Sequence, residues 1–350
     1  MKTVLITGVT GMDGSILLDM CLDKGHTVVG LKRRSSTDTT QRIKHRLGQF
    51  TLEECDITDA ASVNNIFAKY KPDLIFNMAA ESHVATSFNQ PCYTFQANTV
   101  GVINLLEAMR QYTPQARMVQ ASTSEMFGNN YTIVDDDGNL KKAQNNVTSF
   151  CPTSPYACAK LAAHHMVQTY RNSYKLFVCS AISFNHTGKR RGELFVSRKI
   201  TQYVAKLYHA SKKYYEIGSP KQLVIPPLGF EKLYLGNITS ARDWTHADDI
   251  CRGLYMMLQQ DQPDDYILCS GEAHTVENFL FEAFQCIGID YKPYVEIDPR
   301  LYRPAEVDYL CGDSSKAKEL LGWYPTVGFK DLVKIMVDAD IILEEKNDSR

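Results

Sequence analysis

The chain has 350 residues, with 38 Lys and Arg against 40 Asp and Glu, so its formal net charge at pH 7 is −2. That balance gives no electrostatic reason to expect nucleic acid or an anionic membrane as a partner, and any basic site must be local and built for a small anion. Hydrophobic residues make up 44% and charged ones 22%, values that suit a folded chain with a large core, arranged as two domains or one large one.

The opening stretch, Met1 to Gly8, is apolar for only a few residues before glycines begin. It is too short for a signal-peptide core or a membrane span. The 10 cysteines are scattered and form no CxxC pair. They read as reduced thiols used as small buried hydrophobes, which predicts a cytoplasmic chain without disulfides.

Strand candidates follow in order at Val4-Leu5-Ile6, Val28-Val29-Gly30-Leu31, Leu74-Ile75-Phe76, Met118-Val119 and Phe177-Val178. Each is a continuous apolar run, as a parallel strand covered on both faces requires. Between them, Val63, Ile66, Phe67 and Tyr70 share one helical face, as do Val102, Leu105, Leu106 and Met109. Such alternation predicts an α/β fold, a doubly wound parallel sheet of Rossmann type. Beyond residue 186 the pattern is irregular, with a proline-rich loop expected from Gly218 to Gly229 and a helix from Asp331 to Leu343. The reading is a nucleotide-binding domain over residues 1–186, with a returning segment near 238–260. A smaller mixed α/β substrate-binding domain takes residues 187–237 and 261–345.

Gly8-Val9-Thr10-Gly11-Met12-Asp13-Gly14 follows the first strand and opens a helix. Glycines there permit a tight turn and close approach of backbone to a pyrophosphate, which the helix N-terminus then meets with free N–H groups. Standing at the start of a βαβ pattern, the motif predicts dinucleotide binding. The second strand ends in Lys32-Arg33-Arg34 rather than in an acid. Cations suit a ribose 2′-phosphate, so the expected cofactor is NADP.

Tyr156 and Lys160 form a YxxxK pair on one helical face. A phenol titrates near ~10 in water, and a neighbouring ammonium is expected to favour the phenolate. Such a tyrosine could take a hydroxyl proton while hydride leaves the same carbon for nicotinamide. Ser122-Thr123-Ser124-Glu125 follows the strand at Met118, on the sheet edge where ligands bind. A simple dehydrogenase or epimerase needs no carboxylate beside that Ser/Thr pair. An enzyme that removes a proton α to a new ketone does. The lone His186 has no second ligand at metal spacing, so no metal is expected.

The strings GVTGMDG, LKRRSS, NMAAESHVATSF, QASTSEMFG, SPYACAK, RRGELFVSRKI, YLGNITSARDW, RPAEV and LGWYP closely resemble those of the GDP-mannose 4,6-dehydratases, of the extended short-chain dehydrogenase/reductase superfamily. The likeness runs from residue 8 to residue 325. It implies conversion of GDP-mannose to GDP-4-keto-6-deoxymannose, with NADP recycled in place and a further 4-keto reduction in some relatives. Thr123, Glu125, Tyr156 and Lys160 would be catalytic. Where deoxythymidine-sugar relatives carry Asp-Glu, this chain has Ser124-Glu125, which leaves Glu125 to serve both proton removal and the leaving hydroxyl.

For the cofactor, the resemblance adds to Gly8, Thr10, Gly11, Met12, Asp13 and Gly14 a contact at Arg33. Asp56 and Ile57 would lie by the adenine. Met78, Ala79, Ala80 and Ser82, with Tyr93, Lys160, His186 and Arg191, would complete the site. For the substrate it implies Arg242 and Arg303 on the diphosphate and Glu306 on the ribose. Val196, Lys199 and Gly236 would lie near guanosine, and Ser87 and Ser124 by the sugar. The segment matching Lys32 to Ser36 reaches a neighbouring subunit in the family, implying a homodimer or homotetramer. Two departures stand out: Met12 replaces the Gln of bacterial members, and Thr187-Gly188-Lys189 replaces an acid, Ser and Pro. Competing readings are a nucleotide-sugar 4-epimerase or 4-keto reductase, which need no Glu125, and a non-catalytic NADP-binding regulatory protein.

Overall fold

The computed structural model describes residues 1–136, 139–216 and 229–348. Seven strands form the central sheet: β1 (Thr3–Thr7), β2 (Thr27–Lys32), β3 (Thr51–Glu54), β4 (Leu74–Asn77), β5 (Arg117–Ala121), β8 (Phe177–Ser183) and β13 (Tyr266–Leu268). Their order is β13-β8-β5-β4-β1-β2-β3, and every neighbouring pair is parallel. Alternation along each strand divides the core. Val4, Ile6, Leu74, Phe76 and Val119 face one layer, and Leu5, Ile75, Met118 and Val178 face the other.

The first layer holds α1 (Met12–Asp23), α8 (Ala247–Met257) and α10 (Ser315–Leu321). The second holds α2 (Ala60–Tyr70), α5 (Gly101–Tyr112) and α6 (Pro155–Tyr174). The apolar faces read from sequence on α2 and α5 are the ones buried there. Short α3 (Val84–Asn89) and α4 (Pro91–Phe95) precede α5, and a hairpin of β6 (Thr132–Asp136) and β7 (Asn139–Ala143) follows β5. This is the doubly wound sheet expected of the sequence.

Beyond the sheet, α7 (Val196–Glu216), α9 (Val276–Gln285) and α11 (Phe329–Asp348) pack together. They enclose Trp244, Phe279, Phe284 and Met336, and α9 begins in a capping box at Thr275. Small sheets join these helices to the main one. They are β9 (His186–Thr187) with β12 (Thr245–His246), β10 (Leu233–Leu235) with β15 (Val295–Ile297), and β11 (Ala241–Asp243) between β14 (Ala273–Thr275) and β16 (Tyr309–Leu310). The helix expected at 331–343 lies within α11; the expected loop falls, apart from Gly229, outside the described residues.

One assignment needs correcting. Residues 261–345 do not all belong to the second region, because β13 is the edge strand of the central sheet. Trp323, fully buried, packs in the first layer and donates from its indole nitrogen to Asp249 O at 2.8 Å. Ala317 and Leu321 of α10 bury against the same cluster. Burial of that apolar surface fastens the late segment to the sheet.

Candidate active site

Strand order reverses at β1: β2 and β3 lie to one side, β4, β5 and β8 to the other. The crevice at the carboxyl ends of β1 and β4 is where a doubly wound sheet binds its ligand. A cavity of about 740 Å³ opens there. Gly8 enters its floor with φ +62°, in the left-handed region that favours glycine. A Cβ on Gly14 would fall 2.3 Å from Gly8 O and 2.8 Å from Val9 Cα, so the loop and the first turn of α1 can touch only through glycine. Thr10, Gly11, Met12 and Asp13 also line the wall.

The other residues assigned to the cofactor line this same cavity. Arg33 stands at its far end, hydrogen-bonded to the Tyr93 hydroxyl, with its guanidinium carbon 5.7 Å from the Tyr93 ring centre. Lys32 is instead drawn to Glu54, at 2.7 Å. Asp56 and Ile57 follow β3, and Met78, Ala79, Ala80 and Ser82 follow β4. At the opposite side, His186 Nδ1 donates to Phe184 O at 2.9 Å and Nε2 meets Asp13 Oδ2 at 3.0 Å. Burial alone would lower the His186 pKa, but the charge and hydrogen bond of Asp13, with the hydrogen bond to Phe184 O, together outweigh it and hold the imidazole above its usual range. Asp13 is likewise held below the usual carboxylate range, because His186 outweighs the opposing effect of burial. Burial draws Arg191 down to about 10, so it stays protonated at neutral pH. Its guanidinium lies 3.6 Å from the Phe195 ring centre, and its buried Nε has no hydrogen-bond partner. A glycine cradle, a helix N-terminus and an unsatisfied buried guanidinium fit a dinucleotide phosphate.

At the end of β5, Thr123 caps a turn at Ser124–Phe127 by accepting from Glu125 N at 3.2 Å. That turn carries Glu125 into the cavity, 8% exposed. Ser154 caps α6 by accepting from Ala157 N at 3.1 Å, and Pro155 occupies its first position. Tyr156 is thereby set one residue into the helix, facing the same cavity. Lys160 Nζ donates to Ala121 O at 2.9 Å and lies 5.9 Å from the Tyr156 ring centre. Burial lowers Lys160 to about 8. It raises the Tyr156 phenol to about 12, although the hydrogen bond from Thr123 works the other way. The depressed phenol expected from the Tyr–Lys spacing is not what this arrangement gives, because loss of water around the phenolate outweighs the Thr123 hydrogen bond and the Arg191 charge.

The substrate assignments divide. Val196, Lys199, Gly236, Ser124 and Arg303 line the cavity. Arg303 Nη1 is 3.9 Å from Glu125 Oε1 and 3.7 Å from Glu306 Oε1. Arg242, Glu306 and Ser87 are not in the wall. Arg242 is buried and donates to Glu306 Oε1 at 3.1 Å. The buried carboxylate of Asp243 beside it accepts from Ser270 N and Gly271 N, fixing that strand from behind. The Ser87 hydroxyl is spent on Val84 O at 2.6 Å. In the departing segment, Thr187 joins β9 and bonds Ser197, while Gly188 O accepts from Arg191 N. Among the cavity residues with no role read from sequence are Arg42, which donates to Arg190 O and Thr10 O, and His83.

The sequence model of the family described as GDP-mannose 4,6 dehydratase matches residues 5–223 and 228–336. The chain belongs to the GDP-mannose 4,6-dehydratase family. A dehydratase of that name from Arabidopsis thaliana is 44% identical over 99% of this chain and 88% of its own length. Another from Vibrio cholerae is 38% identical over 99% of this chain and 95% of its own. Among solved structures, a UDP-glucose 4-epimerase of Thermus thermophilus in complex with NAD has a TM-score of 0.77 at 26% identity, covering 97% of this chain and 98% of that one. The dTDP-glucose 4,6-dehydratase of Bacillus anthracis, also with NAD, has a TM-score of 0.77 at 19% identity, covering 100% and 98%. That second likeness extends to the fold alone.

Proposed function

We propose that this chain removes water from GDP-mannose to give GDP-4-keto-6-deoxymannose, with NADP as a nicotinamide cofactor that it retains. The observation that carries this reading is the shared cavity of Glu125 and Tyr156, a carboxylate and a phenol facing one crevice. An epimerase or simple reductase has no use for the carboxylate. The nicotinamide, when bound, would supply the hydride acceptor for C4 of the hexose and the hydride donor for C6.

Tyr156 takes the C4 hydroxyl proton; burial opposes the phenolate this needs, and the Thr123 hydrogen bond with the charges of Arg191 and Lys160 favours it. The resulting ketone acidifies C5, and Glu125 takes that proton. The C6 hydroxyl then departs as water, protonated from Glu125, so the proton taken at C5 leaves with the product water. C5 regains a proton as C6 is reduced, and Tyr156 gives up the one it took from the C4 hydroxyl, which closes the cycle. Lys199 and Arg303 hold the diphosphate, and Arg242 acts from behind by fixing Glu306. Asp13, His186 and Arg191 hold the cofactor's pyrophosphate side, and Arg33 its 2′-phosphate. The enzyme so proposed is a cytoplasmic homodimer or homotetramer; the NAD of the Thermus structure supports the nicotinamide class rather than the choice of NADP. Among the described residues, no helix is long and apolar enough to cross a membrane.

The test is incubation of the purified protein with a panel of nucleotide-sugars, products read by mass. Loss of one water from GDP-mannose, with no net change in reduced cofactor, is the expected result. Epimerisation without loss of mass refutes the dehydratase reading.

A further inference from the structure

We propose that His83 is a further substrate-positioning residue, whose Nε2–H donates to an oxygen of the diphosphate of the nucleotide-sugar. The inference rests on the substrate reading above. His83 is the N-cap of α3. Its Nδ1 accepts from Thr86 N at 3.3 Å and lies 2.8 Å from Thr86 Oγ1. A main-chain N–H can only donate, so Nδ1 presents its lone pair, and in the neutral ring the proton sits on Nε2. The ring is held from a second side by an edge contact with Phe195, centres 5.6 Å apart and planes at 71°. Its own main-chain N–H is bound by Glu81 Oε1 at 3.0 Å. With Nδ1 committed to the helix, Nε2 is the nitrogen available to a ligand in the cavity that His83 lines.

The charges around the ring identify the ligand. Arg303, Lys199 and Arg191 surround it against the single carboxylate of Glu81. Burial first, and then those cations, hold His83 below the usual imidazole range, so at neutral pH it is an uncharged donor. Arg303 and Lys199, the two cations given to the substrate, make an anion site here, with Arg191 on its cofactor side. A fixed N–H adds direction that a flexible lysine does not supply. Arg303 also stands 3.9 Å from Glu125, so this anion site adjoins the carboxylate proposed to act on the hexose. That places the contact where the diphosphate meets the sugar.

Two variants separate this role from the helix cap. His83→Asn preserves the cap, since asparagine is a strong N-cap residue, but withdraws the donor. His83→Gln keeps a donor near the Nε2 position and weakens the cap. Calorimetric titration of the full-length protein with GDP and with GDP-mannose should show His83→Asn weaker for both by about tenfold, with its Tm near the wild-type value. His83→Gln should recover most of the affinity despite a lower Tm, and the loss should fall on KM more than on kcat. Affinity that follows Tm instead, or a loss for GDP-mannose but not for GDP, overturns the proposal. So does unchanged affinity in His83→Asn when the wild type binds both ligands. A wild type that binds neither GDP nor GDP-mannose removes the substrate reading itself, and this contact with it.

Discussion

Lys160 spends its ammonium on the main chain, donating to Ala121 O at 2.9 Å, and stands 5.9 Å from the centre of the Tyr156 ring. It therefore ties α6 to the end of β5, the strand end that leads into Thr123 and Glu125. The cation is buried, and its folded pKa of about 8 lies below the ordinary 10.5.

That depression sets a pH dependence with a definite sign. Between about pH 8 and 10 the unfolded chain binds more protons at this position than the folded one, so wild-type stability rises with pH there. Lys160→Met lacks this slope. Denaturant unfolding of both proteins from pH 7.5 to 10 should show the wild type gaining on the order of 2 kcal/mol relative to the variant. Parallel curves contradict a buried, titrating ammonium. The variant should also lose turnover by roughly a hundredfold or more.

Glu125→Gln and Tyr156→Phe divide the reaction at different points. Tyr156→Phe should lose the first oxidation, with kcat down by about 10² or more. Glu125→Gln should still reduce bound cofactor with GDP-mannose yet release no water, and in D₂O its substrate should acquire no deuterium at C5. Dehydration at the native rate by Glu125→Gln refutes the role given to that carboxylate.

Arg33 is the cation of the Lys32-Arg33-Arg34 run that both lines the cavity and is free of an acidic partner among the described contacts, since Lys32 is bound to Glu54. Arg33→Ala should weaken NADP by about tenfold and leave NAD nearly unchanged, read by fluorescence titration of each dinucleotide. Equal losses for both place Arg33 elsewhere than at the 2′-phosphate.

The Asp13–His186 pair predicts a stability deficit confined by pH. Asp13 is depressed below 3.8, so its contribution is present above that value and lost as pH falls. His186 is raised above 6.5, so its contribution is full below that value and lost as pH rises through the folded pKa. Asp13→Asn should thus be destabilised most between about pH 4 and 6.5, by roughly 3 kcal/mol, with the deficit shrinking at alkaline pH. Urea unfolding at three pH values checks it.

The sheet was legible because each of its inner strands is an apolar run long enough to stand out, as at Val4-Leu5-Ile6 and Leu74-Ile75-Phe76. Strand β13 was not, because three residues, Tyr266-Ile267-Leu268, carry no period that separates a sheet edge from a loop. The cofactor residues were legible for a related reason: they follow strand ends or open helices, where position along the chain fixes position in space. Side-chain partnerships were not. Nothing in the order of residues says that Arg242 turns to Glu306, that the Ser87 hydroxyl folds back on Val84 O, or that Lys160 chooses Ala121 O over the phenol. Arg42 lies in a loop without pattern and reaches the cavity only through the fold. His83 stood in view within NMAAESHVATSF, but its ring orientation depends on Thr86 and Phe195.

Trp323 anchors the late part of the chain to the sheet. It sits deep in the sheet's first layer, while α11, immediately after it, packs on α7 in the outer region. Neither half can therefore be completed before the ribosome has passed residue 323. A nascent chain stopped short of residue 323 would not be a working dinucleotide module waiting for its sugar-binding companion. It would expose the groove left by the indole to chaperones and proteases, and early stop codons should yield degraded protein rather than a truncated species that still captures cofactor.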